Sequence, residues 1–207
     1  MTTINNVLFD FGKVLLNFDN DNAKTYFKNI GVNDYDKQVM ALHAENIFNK
    51  LETSELSVDQ FINTISQKLK GLVSDTDIKN AWNSILLDYR TESMKCLERL
   101  KNRFNLYLLS NTNALHHEQF DRILFNQLGV KSLDSYFTKV YYSHQIGMRK
   151  PDRKIYEFVL NDAGIKAAET LFIDDLPENI AVASSLGFQT HLLLPEERIE
   201  KLKSLSY

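Results

Sequence analysis

The sequence is poor in cysteine: Cys96 is the single thiol among 207 residues. One thiol makes neither an internal disulfide nor a structural zinc site, so the chain fits a reducing compartment. Cys96 sits with Met94, Leu97 and Leu100 on an apolar helical stripe and is expected to be inert packing. Basic charge is not in excess either. Lys and Arg number 24 against 27 Asp and Glu, a net charge of −3. That balance argues against the basic surface that nucleic-acid binding needs, while leaving room for a locally positive pocket. No stretch approaches the ~20 uncharged apolar residues of a membrane span. The start, MTTINNVLFDFGK, lacks the basic head and apolar run of a secretory leader. The expectation is a soluble cytoplasmic protein, a monomer or weak homodimer, without internal repeats.

What is present is ordinary globular material, 43% hydrophobic and 25% charged. Its length suits a core domain carrying a smaller insertion. Five short apolar runs, 7–10, 106–110, 140–143, 171–175 and 191–194, read as strands buried on both faces of a parallel sheet. Helical patterns at 93–102, 152–162 and 177–186 lie between them. The alternation predicts an α/β fold with a Rossmann-like, doubly wound parallel sheet.

The interval between Asp10 and Leu106 breaks this rhythm, showing helical pattern and no convincing strand. Phe27 and Ile30 mark one helix, closed by Gly31. Val39, Leu42, Ile47 and Leu51 mark a second. Val58, Phe61, Ile62, Ile65 and Leu69 mark a third, with Ser57 and Gln60 as a capping box at its start. Ile78, Trp82, Ile85 and Leu86 mark a fourth. The expected division is an α/β core at 1–15 and 91–207 with an all-helical cap at 16–90. The cap aromatics should pack together, with one or two near Phe18 or Phe48 facing a pocket.

Chemistry gathers at the strand ends, where open parallel sheets bind ligands. The first run ends in Asp10, the second in Ser110 and Asn111, the fourth in Asp174 and Asp175, and Lys150 follows the third. Adjacent carboxylates such as Asp174 and Asp175 repel each other unless a cation lies between them. Carboxylate oxygens with a phosphate suit magnesium, and a lysine with a polar strand end can neutralise phosphoryl oxygens. The histidines His43, His116, His117, His144 and His191 show no metal-ligand spacing, and His116 and His117 are expected at the surface rather than at the pocket entrance.

The stretches FDFGKV, LSNTN, Lys150-Pro151 and FIDD resemble, in order and spacing, the four motifs of the haloacid-dehalogenase-like hydrolase superfamily. The resemblance covers the whole chain, with the insertion where the first subclass carries its cap. SNTNALH and GMRKPDRKIYEFVL are most similar to the bacterial sugar-phosphate phosphatases of that superfamily, those acting on α-D-glucose 1-phosphate included. The resemblance implies Mg2+-dependent hydrolysis of a small phosphate ester through an aspartyl-phosphate on Asp10. It implies metal ligation by Asp10, the Gly12 carbonyl and Asp175, with Asp174 and Asn179 in support. Ser110 and the amide of Asn111 would bind phosphate, and Lys150 would link phosphate and nucleophile. One position departs from the pattern. Phosphatases of the superfamily usually carry a general-acid aspartate two residues after the nucleophile, where this chain has Gly12. A weakened phosphate-binding or regulatory module on the same scaffold, and a 2-haloacid dehalogenase, are therefore the alternative readings.

Overall fold

The computed structural model describes residues 3–32 and 34–205. Within them run the strands β1 (Asn6–Phe9), β2 (Leu16–Phe18), β3 (Leu86–Tyr89), β4 (Asn105–Ser110), β5 (Lys139–Tyr142), β6 (Thr170–Asp174) and β7 (Gln189–Leu192). The helices are α1 (Asp21–Asn29), α2 (Tyr35–Ala44), α3 (Ile47–Glu52), α4 (Val58–Lys68), α5 (Asp75–Asn83), α6 (Thr91–Leu100), α7 (Ala114–Leu128), α8 (Ser143–Ile146), α9 (Arg153–Ala163) and α10 (Pro177–Ser185). No described helix is long and apolar enough to cross a membrane.

The five apolar runs form one sheet in the order β5-β4-β1-β6-β7, parallel at every pairing. Side chains alternate along each strand. Val7, Phe9, Leu106, Leu108, Leu171 and Ile173 therefore join one buried cluster with α6 and α7, including Met94, Leu97 and Phe120. Leu8, Tyr107, Leu109 and Phe172 join another with α9 and α10, including Ile155, Tyr156 and Ala183. Burial on both faces accounts for the continuous apolar runs of β1, β4 and β6, whereas the edge strands β5 and β7, expected to be buried alike, are partly exposed because each has a neighbour on one side only. Cys96 is buried in the first cluster, which raises its thiol pKa. The strand order reverses at β1, so the crevice beyond β1 and β6 is the topological switch point where such sheets bind ligands.

Helices α1 to α5 gather around their own apolar cluster, centred on Phe27, Leu42, Phe61, Ile62, Ile65 and Ile78. The capping box at α4 is complete, with Gln60 N donating to Ser57 Oγ and Ser57 N donating to Gln60 Oε1. Three features differ from the sequence reading. First, the helical segment leaves and rejoins the sheet through two short antiparallel strands, β2 and β3, whose pairing partners lie too far apart in sequence to leave a local signal. Second, the stripe from Val39 to Leu51 is two helices, because Asn46 adopts the left-handed conformation at φ 59° and turns the chain between them. Third, α7, which fills the connection from β4 to β5, is capped by Asn113 and ended by Gly129 at φ 70°.

Candidate active site

The site is built at the carboxyl edge of β1, β4 and β6. Asp10 follows β1, and its amide donates to the carbonyl of Ile173 at 2.8 Å, continuing the ladder and holding it beside Asp174. Asp10, Asp174 and Asp175 can each present one oxygen within 4.8 Å of the others. Beneath them lies Lys150, only 1% exposed. Its Nζ donates to Asp10 Oδ1 at 2.6 Å and to Asp174 Oδ2 at 2.7 Å. A buried ammonium is tolerated because both partners are charged and well placed. Burial works against the Lys150 cation, but Asp10 and Asp174 outweigh it and hold its pKa above the ordinary lysine value.

Asp174 is the most constrained of the three carboxylates. It is fully buried and accepts two bonds from Asn179 Nδ2 at 3.0 Å, and one from the Leu176 amide at 2.9 Å. Asn179 is buried on the first turn of α10, and its carbonyl accepts from the Tyr156 hydroxyl. Asp175 is more open, with Lys13 Nζ 3.8 Å away; burial and the neighbouring Asp174 raise its pKa. Burial raises the Asp10 carboxyl to about 7; Lys150 opposes the shift and Asp174 and Asp175 add to it. Gly12 stands in the turn between β1 and β2, and a side chain there would meet nothing within 4 Å.

Ser110 ends β4, buried, its hydroxyl donating to the Asn111 carbonyl at 3.5 Å. The Asn111 side chain is committed elsewhere. Its Nδ2 donates to the Lys150 carbonyl at 2.9 Å and its Oδ1 accepts from the Lys150 amide at 2.8 Å. The next residue is pinned too, since Ser143 Oγ accepts from the Thr112 amide and donates to the Thr112 carbonyl, both at 2.9 Å. The second and third motifs are thus tied to each other through side chains.

Above this floor, between the sheet edge and α1 to α5, opens a cleft of about 440 Å³. Phe18, Phe48, Glu52, Trp82, Asn111, Asn113 and His116 are among the residues that line it. Trp82 is stacked between Phe48 and His116, with centroids at 5.2 Å and 5.1 Å. His116, expected at the surface, is instead buried. It exchanges a hydrogen bond with Asn113 Nδ2 at Nδ1 and with the Trp82 carbonyl at Nε2, and burial lowers its pKa to about 4. Asn113 carried a local signal, as a helix cap three residues before His116. Glu52 carried none: what places it is Arg149, whose Nε donates to Glu52 Oε2 at 2.8 Å.

A parallel sheet with a carboxylate trio and a buried lysine at its switch point defines a hydrolase scaffold of the α/β class. The chain belongs to the haloacid dehalogenase-like hydrolase family, which matches it over residues 4–187. It is 33% identical to the D-ribitol-5-phosphate phosphatase of Bacteroides thetaiotaomicron across 187 residues, 90% of each chain. A HAD family enzyme of the same organism, solved with magnesium and inorganic phosphate, superposes with a TM-score of 0.89. It is 35% identical, over 97% of this chain and 99% of that one. A HAD-like family hydrolase from Porphyromonas gingivalis gives a TM-score of 0.82 at 32% identity, over 95% and 94%.

Proposed function

We propose that the chain is a magnesium-dependent phosphatase of a small sugar or sugar-alcohol phosphate, with the Asp10 carboxylate as nucleophile. The observation that carries this reading is Lys150 Nζ at 2.6 Å from Asp10 and 2.7 Å from Asp174, under carboxylates that can converge on one cation. Three carboxylates face one buried ammonium and the exposed Lys13, which leaves an excess of negative charge when all are ionised. A divalent cation offsets it, and an all-oxygen donor set that leaves room for phosphate suits magnesium. Asp10, the Gly12 carbonyl and Asp175 would hold the ion, with Asp174 kept in place behind them by Lys150 and Asn179. Bound there, magnesium neutralises phosphoryl oxygens, so an anionic ester can approach an anionic nucleophile. The phosphatase relative and the neighbour solved with magnesium and phosphate support the same assignment.

An Asp10 carboxylate oxygen attacks phosphorus while the bond from phosphorus to the sugar oxygen breaks, leaving an aspartyl-phosphate. Ser110 and the Asn111 amide hold the phosphoryl oxygens, and Lys150 balances charge shared between them and Asp10. Water then attacks phosphorus, releasing inorganic phosphate and the free carboxylate. Gly12 has no proton for the departing sugar oxygen, so another donor or water held by the cap would supply it. Helices α1 to α5 act as the lid that shields the first step from bulk water. A cytoplasmic location, in keeping with the lone buried Cys96, belongs to the same proposal.

Phosphate release from p-nitrophenyl phosphate and from sugar phosphates, with and without magnesium, tests the reading on wild type and Asp10→Asn. Metal-dependent release abolished by Asp10→Asn is expected. Phosphate binding without turnover of any ester would instead mark a binding module, and metal-free halide release from a haloacid would mark a dehalogenase.

A further inference from the structure

Glu52 closes α3 and lies on the wall of the cleft. One carboxylate oxygen is held by Arg149, the residue immediately before Lys150. Two residues on, Ser54 Oγ donates to the His144 carbonyl at 2.7 Å, so the end of α3 is seated on the segment that leads to the catalytic lysine. Glu52 therefore shares the cleft wall with Asn111, whose side chain bonds the Lys150 backbone, and is held by the residue that precedes Lys150. Its Oε1 receives no hydrogen bond from the described residues. The side chain keeps 24% of its surface exposed and lines the cleft.

Charge in the cleft points the same way. Its wall also carries Asp21, Asp36 and Lys24, and the Lys24 ammonium is taken by Asp36 at 2.7 Å. The Arg149 cation is taken by Glu52. The cleft is thus rich in hydrogen-bond acceptors and short of uncommitted positive charge among the described residues. Hydroxyl groups donate to such a wall, whereas a second phosphate or a carboxylate meets like charge. The stacked Phe48 and Trp82 rings offer the C–H face of a carbon chain an apolar surface.

We propose that Glu52 is a specificity-determining residue: its Arg149-anchored carboxylate accepts a hydroxyl of the organic group, selecting neutral polyhydroxylated monophosphates over substrates with a second anionic group. This rests on the hydrolase reading above. Arg149 fixes the rotamer, so little ordering entropy is lost when the hydroxyl arrives.

The test compares wild type and Glu52→Gln, with magnesium, on three esters. They are a five-carbon sugar-alcohol monophosphate, the same chain carrying a terminal carboxylate, and p-nitrophenyl phosphate, which has no hydroxyl. Wild type should favour the sugar-alcohol ester over the carboxylate ester by at least about tenfold in kcat/KM. Glu52→Gln should lower kcat/KM for the sugar-alcohol ester roughly 10–100-fold more than for p-nitrophenyl phosphate, chiefly through KM, as expected for a bond to a charged acceptor. Thermal melting checks that the near-isosteric variant is folded; should it not be, Glu52→Asp, which keeps the charge but retracts it, should show the same selective loss. An equal loss on all three esters would mean that Glu52 only seats α3, and would overturn the proposal. Equal wild-type rates on the neutral and carboxylate esters would overturn it too. If wild type turned over none of the three, the hydrolase reading itself would fall, and a result confined to Glu52 would leave that reading standing.

Discussion

The side chain of Asn111 and the backbone of Lys150 form a closed pair of hydrogen bonds, 2.9 Å from Nδ2 to the carbonyl and 2.8 Å from the amide to Oδ1. A primary amide thus completes what a neighbouring strand would otherwise provide. It sets the height at which the Lys150 side chain enters the site.

Replacing Asn111 by alanine should leave the Lys150 amide and carbonyl without these partners and let the lysine drift. Stability should drop by about 1–3 kcal/mol, and kcat by ~10–100-fold, since small misplacements of catalytic groups are costly. Asn111→Asp retains the acceptor for the Lys150 amide and loses the donor, so it should fall between the two. Chemical denaturation together with steady-state kinetics on p-nitrophenyl phosphate checks the order.

Lys150→Met removes the buried cation that bridges Asp10 and Asp174. Leaving those carboxylates uncompensated should destabilise the metal-free protein by about 3–5 kcal/mol. Magnesium should return part of that loss, because it compensates the same charges. Melting curves of both proteins with and without magnesium should show a larger metal-induced rise in Tm for the variant.

Asp10 titrates near 7 in the folded chain against 3.8 ordinarily, so between those values the folded state binds more protons than the unfolded one. Stability from this group is fully present below about pH 3.8 and is lost as pH rises to about 7. Metal-free Asp10→Asn should therefore be more stable than wild type at pH 8 and lack that part of the slope. Magnesium needs the ionised carboxylate, so its affinity should rise with pH up to about 7, with proton release on binding. Calorimetry in two buffers of different ionisation enthalpy measures both.

Gly12 lies in open space, where a Cβ would meet nothing within 4 Å, and its backbone is not in the left-handed region. Gly12→Asp should therefore fold normally and place a proton donor beside the departing oxygen. General acid catalysis contributes typically 10²–10⁴-fold, so kcat for alkyl phosphates should rise relative to that for p-nitrophenyl phosphate, whose leaving group needs no proton. An unchanged ratio between the two esters would show that the cleft already delivers the proton efficiently.

The strand-end residues were readable because their causes are local. A strand buried on both faces must be apolar, so the polar residue that ends it stands out, as Asp10, Ser110 and Asp174 do. Gly31 and the Ser57–Gln60 box marked helix ends for equally local reasons. β2 and β3 escaped because three or four residues with half-exposed sides make no periodic pattern. His116 escaped because a helical residue's burial depends on what packs over it, here the Trp82 ring stacked against it.

The sequence by itself determined the parallel sheet, the helical insertion and which residues stand at the sheet's carboxyl edge. Each of these follows from backbone geometry and the burial of neighbouring side chains. The tertiary structure alone decided how those residues are joined. Lys150 reaches Asp10 across 140 positions, Asn111 reaches Lys150 across 39, and Arg149 reaches Glu52 across 97. Hydrogen bonds of that span leave no local trace, because their geometry exists only once the sheet and the helices over it have packed.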